Sequence, residues 1–119
     1  ILIRINNMEK EQISYEDFAK LEIKIGTITA VEMVEGADRL LKLTVDVAEE
    51  EPRQIVSGIR EYFEDINELV GKQCPFLINL EPRTIRGLES QGMILAVGDN
   101  DEFTLLHPGS EVSSGSLVQ

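Results

Sequence analysis

The sequence predicts an all-β domain, a five-stranded β-barrel with one helix between its third and fourth strands. Three observations predict this fold. The stretch from Leu41 to Val47 alternates strictly between apolar and polar residues, which is the period of a strand with one buried face. Four other segments have the length and composition of strands. Only the stretch from Ile59 to Val70 repeats apolar residues at helical spacing.

The length of the chain sets the number of domains. With 119 residues there is room for one compact domain around one hydrophobic core. Residues 1–12 mix apolar and polar residues without a clear period, so we expect a linker or other N-terminal segment with no function of its own. Residues 13–119 are predicted to form the domain, with about 99–119 as an extension beyond the barrel.

The N-terminal part of the domain begins with a short predicted helix. Ser14 can cap it by accepting a hydrogen bond from a backbone amide of the first turn, and Phe18 and Leu21 are expected to anchor it. The β-branched residues that follow, up to Val34, predict a long strand. Their alternation slips just after Gly26, which predicts a bulge at that position.

The remaining elements follow in the order of a known barrel type. After a turn at Gly36 come the alternating strand, a third strand from Arg53 to Val56, and a helix that Gly71 ends. The later segments are a strand from Cys74 to Leu80, a polar loop from Glu81 to Gln91, a strand from Gly92 to Val97, a hairpin turn from Asp99 to Asp101 and a short strand from Phe103 to Leu106. This order is that of the OB fold, whereas an SH3-like barrel lacks the helix.

Charge is distributed unevenly along the chain. The formal net charge is −11, which by itself opposes binding to nucleic acid. Seven of the 11 basic residues nevertheless lie between Arg39 and Arg86, and none follows Gly87. Charges separated by more than about 8 Å are largely screened at physiological salt. A small basic patch on this acidic chain can therefore still bind phosphate.

Composition excludes several classes of protein and favours the cytoplasm. No apolar run approaches the roughly 18 residues that a membrane span needs, and no secretory leader opens the chain. A single cysteine, Cys74, cannot form an intramolecular disulfide. We therefore expect a cytoplasmic protein that makes no membrane contact.

The residues predict neither catalysis nor a cofactor. His107 is the only histidine and has no partner of the kind a general base requires, and nucleophile-elbow, phosphate-loop and zinc-ligand patterns are absent. The adjacent carboxylates Glu49 to Glu51 are interpreted as a solvated turn, because three neighbouring carboxylates cannot all converge on one ion. We expect no enzyme activity, no metal and no cofactor.

The densest cluster of chemically informative residues runs from Asn79 to Met93. Arg83 and Arg86 lie three residues apart beside turn-forming residues, so that such a loop can present two guanidinium groups to phosphates. The alternative is a solvated hairpin loop in which the arginines are incidental. Stacking aromatics are scarce, which favours recognition of a folded RNA backbone over binding to single strands.

Four segments in order resemble those of one family. They run from Gly36 to Leu43, from Arg53 to Ile59, from Glu68 to Lys72 and from Asn79 to Met93. They resemble the tRNA-binding domain family. That family includes the C-terminal domain and the β-subunit-like form of methionyl-tRNA synthetase, a structure-specific tRNA-binding protein and a multisynthetase-associated cytokine precursor.

The resemblance implies a homodimeric OB barrel that binds tRNA by shape and assists a methionyl-tRNA synthetase catalytic domain in cis or in trans. The positions that match the family's RNA-facing residues are Arg39, Lys42, Ser57, Asn79, Arg83, Arg86, Ser90, Gln91 and Met93. Glu81 and Thr84 stand where many members have lysines, which implies a weaker affinity for phosphate. A dimeric peptide-binding export chaperone of the same family is the alternative function.

Overall fold

The computed structural model describes residues 10–99 and 101–119. Within the described residues, the α-helix α1 (Tyr15–Ala19) precedes the strands. The strands are β1 (Ile23–Val34), β2 (Ala37–Asp46), β3 (Arg53–Ser57), β4 (Gln73–Leu77), β5 (Arg83–Ile85), β6 (Leu88–Ser90), β7 (Met93–Ile94), β8 (Ala96–Gly98) and β9 (Phe103–Leu105). Of the predicted N-terminal segment 1–12, the first nine residues lie outside this description, as does Asn100 in the predicted hairpin turn.

The predicted fold class is confirmed. Five antiparallel strands form one sheet in the order β3, β2, β1, β4, β7, and β5–β6 and β8–β9 form two separate hairpins. The strictly alternating segment is the C-terminal part of β2, where Leu41, Leu43, Val45 and the following Val47 are all buried. The sheet curls until β3 approaches β7, which gives an OB-like barrel with an apolar interior.

Gly26 serves the packing of this barrel and is not the position of a bulge. The predicted bulge lies further along β1, where the pairing with β2 shifts between Ile28 and Ala30. A Cβ atom on Gly26 would lie 2.5 Å from Cγ1 of Val45 and 2.9 Å from Cδ1 of Phe76. Gly26 therefore faces the crowded barrel interior, where only glycine fits. A glycine at this inward position interrupts the alternation of apolar and polar residues.

The predicted helix from Ile59 to Val70 is wrong in detail. Two short 3₁₀ helices, Arg60–Tyr62 and Ile66–Leu69, replace it, and the chain is extended at Phe63 between them. The rings of Tyr62 and Phe63 both contact Phe103, the first stacked at 4.0 Å and the second edge-on at 6.2 Å. Adjacent residues of an α-helix do not face one partner, so this packing requires the break.

The N-terminal helix has the predicted cap but not the predicted anchors. Oγ of Ser14 accepts a hydrogen bond from the amide of Asp17 at 3.1 Å. Phe18 and Leu21 remain exposed, and α1 buries none of its residues. With only five residues, the helix is held by its ends instead of by an apolar face.

Two predicted segments differ near the C-terminus. The loop from Glu81 to Gln91 contains the hairpin β5–β6, and the strand from Gly92 to Val97 is divided into β7 and β8 at Leu95. The tail predicted as an extension returns to the barrel along the start of β1. There the amide of Gly115 donates to the carbonyl of Ile25 at 2.7 Å, and the amide of Val118 donates to that of Ile23 at 2.8 Å.

Candidate nucleic-acid interface

The barrel is closed by polar groups between β3 and the segment that precedes β7. The amide of Gln91 donates to the carbonyl of Gln54, and the side-chain oxygen of Gln91 accepts from the amide of Gln54, both at 2.8 Å. Oγ of Ser90 accepts from the amide of Val56 and donates to the carbonyl of Gly92, both at 2.9 Å. We call these contacts, together with those of Arg53, the closure seam.

Arg53 completes the closure seam from one end. Its Nη1 donates to the carbonyl of Ile78 at 2.6 Å and to that of Gln91 at 2.9 Å. Its Nε and Nη2 bind both carboxylate oxygens of Glu49, at 2.7 and 2.8 Å. The hydrogen bond from Arg53 holds the pKa of Glu49 below its usual range, and the same contact raises the pKa of Arg53.

A second polar structure, the arginine hairpin, stands next to the closure seam and consists of residues 83–90. Ile85 pairs with Leu88, so that the turn contains only Arg86 and Gly87. Both turn residues have positive φ, 52° and 80°, as a type I′ hairpin turn requires. Asparagine or glycine is the usual first residue of such a turn, and an arginine there carries a steric cost.

A concave surface lies on each side of the arginine hairpin. The base groove, of about 230 Å³, is bounded by the end of β3, the start of the hairpin and β7, and its lining includes Ser57, Arg83, Ser90 and Met93. The tip cleft, of about 280 Å³, is bounded by the turn between β1 and β2, the outer side of β2 and the hairpin tip. OB folds bind oligonucleotides on this part of the barrel.

The structure brings most of the predicted cationic residues to these two surfaces. Arg83 lines the base groove, and Lys42 and Arg86 line the tip cleft. Nζ of Lys42 lies 3.2 Å from a carboxylate oxygen of Glu32, whereas Arg83 and Arg86 form no ion pair with any described residue. Of the predicted cations, the two arginines of the hairpin are therefore the most available to an anionic ligand.

The other predicted cation stands apart from both surfaces. Arg39, at the start of β2, lines neither the base groove nor the tip cleft. Its Nε lies 3.4 Å from a carboxylate oxygen of Glu61, and both side chains are well exposed. An exposed pair of this kind contributes little to stability, so a phosphate could displace Glu61 at small cost.

Three predicted site residues are occupied by contacts within the protein. Asn79 holds the end of the N-terminal helix: its Oδ1 accepts from the amide of Glu22 at 2.8 Å and its Nδ2 donates to the carbonyl of Lys20 at 2.7 Å. Ser90 is only 4% exposed, and Ser90 and Gln91 both belong to the closure seam. These three residues therefore support the surface structurally, and their polar groups are already used by contacts within the protein.

A family model described as "Putative tRNA binding domain" matches residues 23–117. The chain belongs to the tRNA-binding domain family. The matched residues include all five strands of the barrel, the arginine hairpin and most of the C-terminal tail. The four segments that resemble this family in the sequence therefore lie in one domain.

Curated relatives of this tRNA-binding domain include methionine–tRNA ligases. The chain is 46% identical over 110 residues to the enzyme of Methanococcoides burtonii, a match that covers 92% of the chain and 16% of the ligase. It is 40% identical over 113 residues to the enzyme of Lactococcus lactis, covering 94% of the chain and 17% of the ligase. The chain thus spans about a sixth of the length of these relatives.

Solved structures show the same fold for this tRNA-binding domain. A methionyl-tRNA-synthetase-related protein from Pyrococcus horikoshii superposes with a TM-score of 0.84 at 33% identity, and the match covers 92% of the chain and all of that protein. The chaperone CsaA from Bacillus anthracis gives 0.81 at 25% identity, with the same coverage. The C-terminal domain of Plasmodium vivax p43 gives 0.78 at 33% identity, over 85% of the chain and 61% of that protein.

The described part of this tRNA-binding domain holds no cluster of histidine, cysteine and acidic residues able to bind a metal ion. Cys74 is fully buried, and burial raises the pKa of its thiol to about 11. Nδ1 of His107 forms a hydrogen bond of 2.7 Å with the carbonyl of Gln73. Among residues 10–99 and 101–119, no helix is long and apolar enough to cross a membrane.

Two features of the site were not predicted from the sequence. One is the role of Arg53, which follows the carboxylates of the turn and forms its ion pair with Glu49. The other is the presence of Met33 and Glu35, which line the tip cleft. No local signal identifies those two, because the hairpin tip that completes the cleft lies about 50 residues further along the chain.

Proposed function

We propose that this tRNA-binding domain is a non-catalytic module that brings tRNA to a methionyl-tRNA synthetase catalytic domain, in cis or in trans, in the cytoplasm. One observation carries the proposal. Arg83 and Arg86 form no ion pair with any residue that the structure describes, and they stand on a hairpin above the surface with which OB folds bind nucleic acid. The kinship with methionine–tRNA ligases supports the choice of synthetase.

The acidic charge of the chain explains how a small basic surface can orient a bound tRNA. With a net charge of −11, the protein as a whole repels RNA, so attraction requires a local group of cations such as the one at the arginine hairpin. Phosphates bound by Arg83 and Arg86 would fix the orientation of the tRNA without reading its sequence. Lys42 at the tip cleft, and Ser57 and Met93 at the base groove, would complete the contact surface.

The proposed recognition mode follows from what the face lacks. Phe76 is fully buried in the core, Tyr62 and Phe63 pack against Phe103, and no aromatic residue that the structure describes lines the base groove or the tip cleft. Contacts to phosphates and 2′-hydroxyls therefore dominate, as in proteins that recognise folded RNA by shape. Binding should be largely independent of tRNA sequence.

The first experiment measures tRNA binding by fluorescence anisotropy across a salt series. The parent is compared with the double variant Arg83→Ala/Arg86→Ala. We expect the slope of log affinity against log salt to fall by about one to two units in the variant, because each lost phosphate contact lowers it by about one. A double variant of two cations away from the hairpin, Lys20→Ala/Lys72→Ala, is the matched control and should keep the parent's slope.

The outcome that contradicts the proposal is equally specific. If the parent does not bind tRNA even at low salt, the isolated domain is not a tRNA-binding module. If the parent binds but both double variants lower the slope equally, the contact is a diffuse attraction and the arginine hairpin is not its centre.

The proposal includes a homodimer built by residues 99–119. Leu106 and Leu117 are exposed apolar residues in this region. Two weak sites on one assembly gain affinity through effective concentration, by about 10² or more where both engage one ligand. Sedimentation velocity should show a dimer that Leu106→Asp/Leu117→Asp dissociates, whereas Val70→Asp, at another exposed apolar residue, should not.

The similarity to the chaperone CsaA favours one competing function, the binding of unfolded peptides. The base groove is partly apolar, with Leu80, Ile85 and Met93 in its lining. Apolar association survives high salt whereas phosphate contacts do not. Retention of an unfolded peptide at 1 M salt, in the absence of any tRNA binding at low salt, would favour the chaperone.

A further inference from the structure

The tip cleft contains three chemically different groups side by side. Its apolar surface comes from Met33, Val34 and Leu88, and its two cations are Lys42 and Arg86. A carboxylate, Glu35, lies at the same surface. A site for phosphate alone needs neither the apolar surface nor the carboxylate, so this combination indicates a larger ligand group.

Met33 forms a fixed apolar platform on the outside of the barrel. Its side chain is 62% exposed, which is unusual for a methionine on a strand. Its sulfur nonetheless accepts a hydrogen bond from Nε of Arg60 at 3.3 Å, and Nη1 of Arg60 donates to the carbonyl of Phe63 at 3.1 Å. Arg60 thus positions the thioether, whose polarisable sulfur packs well against aromatic rings.

Glu35 decides which part of a nucleotide fits the cleft. It forms no ion pair with any described residue, although two cations line the same cleft. A carboxylate repels phosphate, but it accepts hydrogen bonds from the N–H groups of an unpaired base. The base would therefore lie against Met33 and Glu35, with the phosphates beyond it at Lys42 and Arg86.

We propose that the tip cleft is a subsite for one unstacked base of the bound RNA, with a preference for guanine. Guanine presents two adjacent donors, N1–H and the 2-amino group, to the two oxygens of Glu35. Adenine and cytosine present one amino group each, and uracil presents only N3–H. This inference rests on the proposed function, and it adds a limited base preference to contacts that are otherwise made to the RNA backbone.

The test uses methionine-methyl NMR with four pentaribonucleotides, UUGUU, UUAUU, UUCUU and UUUUU. The chain has three methionines, Met8, Met33 and Met93, and Met33→Leu assigns the signal of interest. In the parent, the Met33 methyl resonance should shift on titration, with UUGUU binding about fivefold tighter than UUUUU, at the low end for a bidentate base contact.

Two variants separate hydrogen bonding from simple charge effects. Glu35→Gln should reduce the preference for UUGUU over UUUUU to less than twofold, because an amide replaces one acceptor with a donor. Arg86→Ala should weaken all four oligonucleotides by a similar factor and leave the preference intact. Thermal unfolding midpoints that match the parent's show that both variants retain the fold.

Each remaining outcome overturns the inference. If Glu35→Gln strengthens all four oligonucleotides equally, Glu35 only repels phosphate and reads no base. If tRNA binds in the anisotropy experiment but the Met33 resonance does not move, the cleft is not a subsite, although the proposed function stands. If neither tRNA nor the oligonucleotides bind, the proposed function fails together with the inference.

Discussion

The closure seam and the arginine hairpin adjoin each other in the structure and share Ser90, yet their polar side chains have different roles. In the seam, Ser90, Gln91 and Arg53 direct their donors and acceptors at backbone groups of the barrel. In the hairpin, Arg83 and Arg86 have no ion pair among the described residues. The polar residues of this region therefore fall into two groups: those whose hydrogen-bonding groups the fold already uses, and those that remain available to a ligand.

Removing Arg53 should have the largest effect on stability. Arg53→Ala leaves the carbonyls of Ile78 and Gln91 without their charged donor, so we expect the free energy of unfolding to fall by about 3 kcal/mol. Urea denaturation measures this free energy of unfolding. Arg83→Ala is the matched control and should stay within about 0.5 kcal/mol of the parent, since it is an exposed residue. If both variants lose the same free energy of unfolding, the closure seam does not contribute more to stability than the arginine hairpin.

The ion pair between Arg53 and Glu49 should make the free energy of unfolding depend on pH, with a smaller effect than the removal of Arg53. The pKa of Glu49 is lowered in the folded protein, chiefly by its hydrogen bond with Arg53, so its contribution to stability is present at neutral pH. That contribution is lost as the pH falls below the ordinary glutamate value of 4.5 and through the lowered pKa. The difference in unfolding free energy between the parent and Glu49→Gln should therefore shrink with acidification.

Glu50→Gln provides the control for that measurement. Glu50 is exposed in the same turn and forms no ion pair with a described residue. Its substitution should change stability little at any pH. A pH-independent difference between the parent and Glu49→Gln would show that the pair with Arg53 does not persist in solution.

The smallest effect on stability is expected at the hairpin tip, and its sign is opposite. Arg86→Asn places a residue that tolerates positive φ at the first position of the turn, so the free energy of unfolding should rise by about 0.5 kcal/mol. The same change removes a cation, and the salt slope of tRNA binding should fall by about one unit. Lower stability with unchanged binding would contradict the assignment of Arg86 to binding.

The fold was predictable where one face of a segment is buried along its whole length. The strict alternation of β2 is such a case, because every second side chain from Leu41 to Val47 enters the core. The break in the predicted helix from Ile59 to Val70 was not predictable, since it depends on the packing of Tyr62 and Phe63 against Phe103, which is distant in the sequence. The two strands of the hairpin β5–β6 were not predicted, because three-residue strands are too short to show a period.

The barrel class, the family and the two arginines of the hairpin could be predicted because periodicity, segment order and side-chain charge are properties of the residues themselves. Which of the nine predicted site residues are free to bind depends on the folded chain. Asn79 is used by Glu22, 57 positions away, and Ser90 by Val56, 34 positions away. A side chain's availability depends on partners that only the folded chain brings within hydrogen-bonding distance.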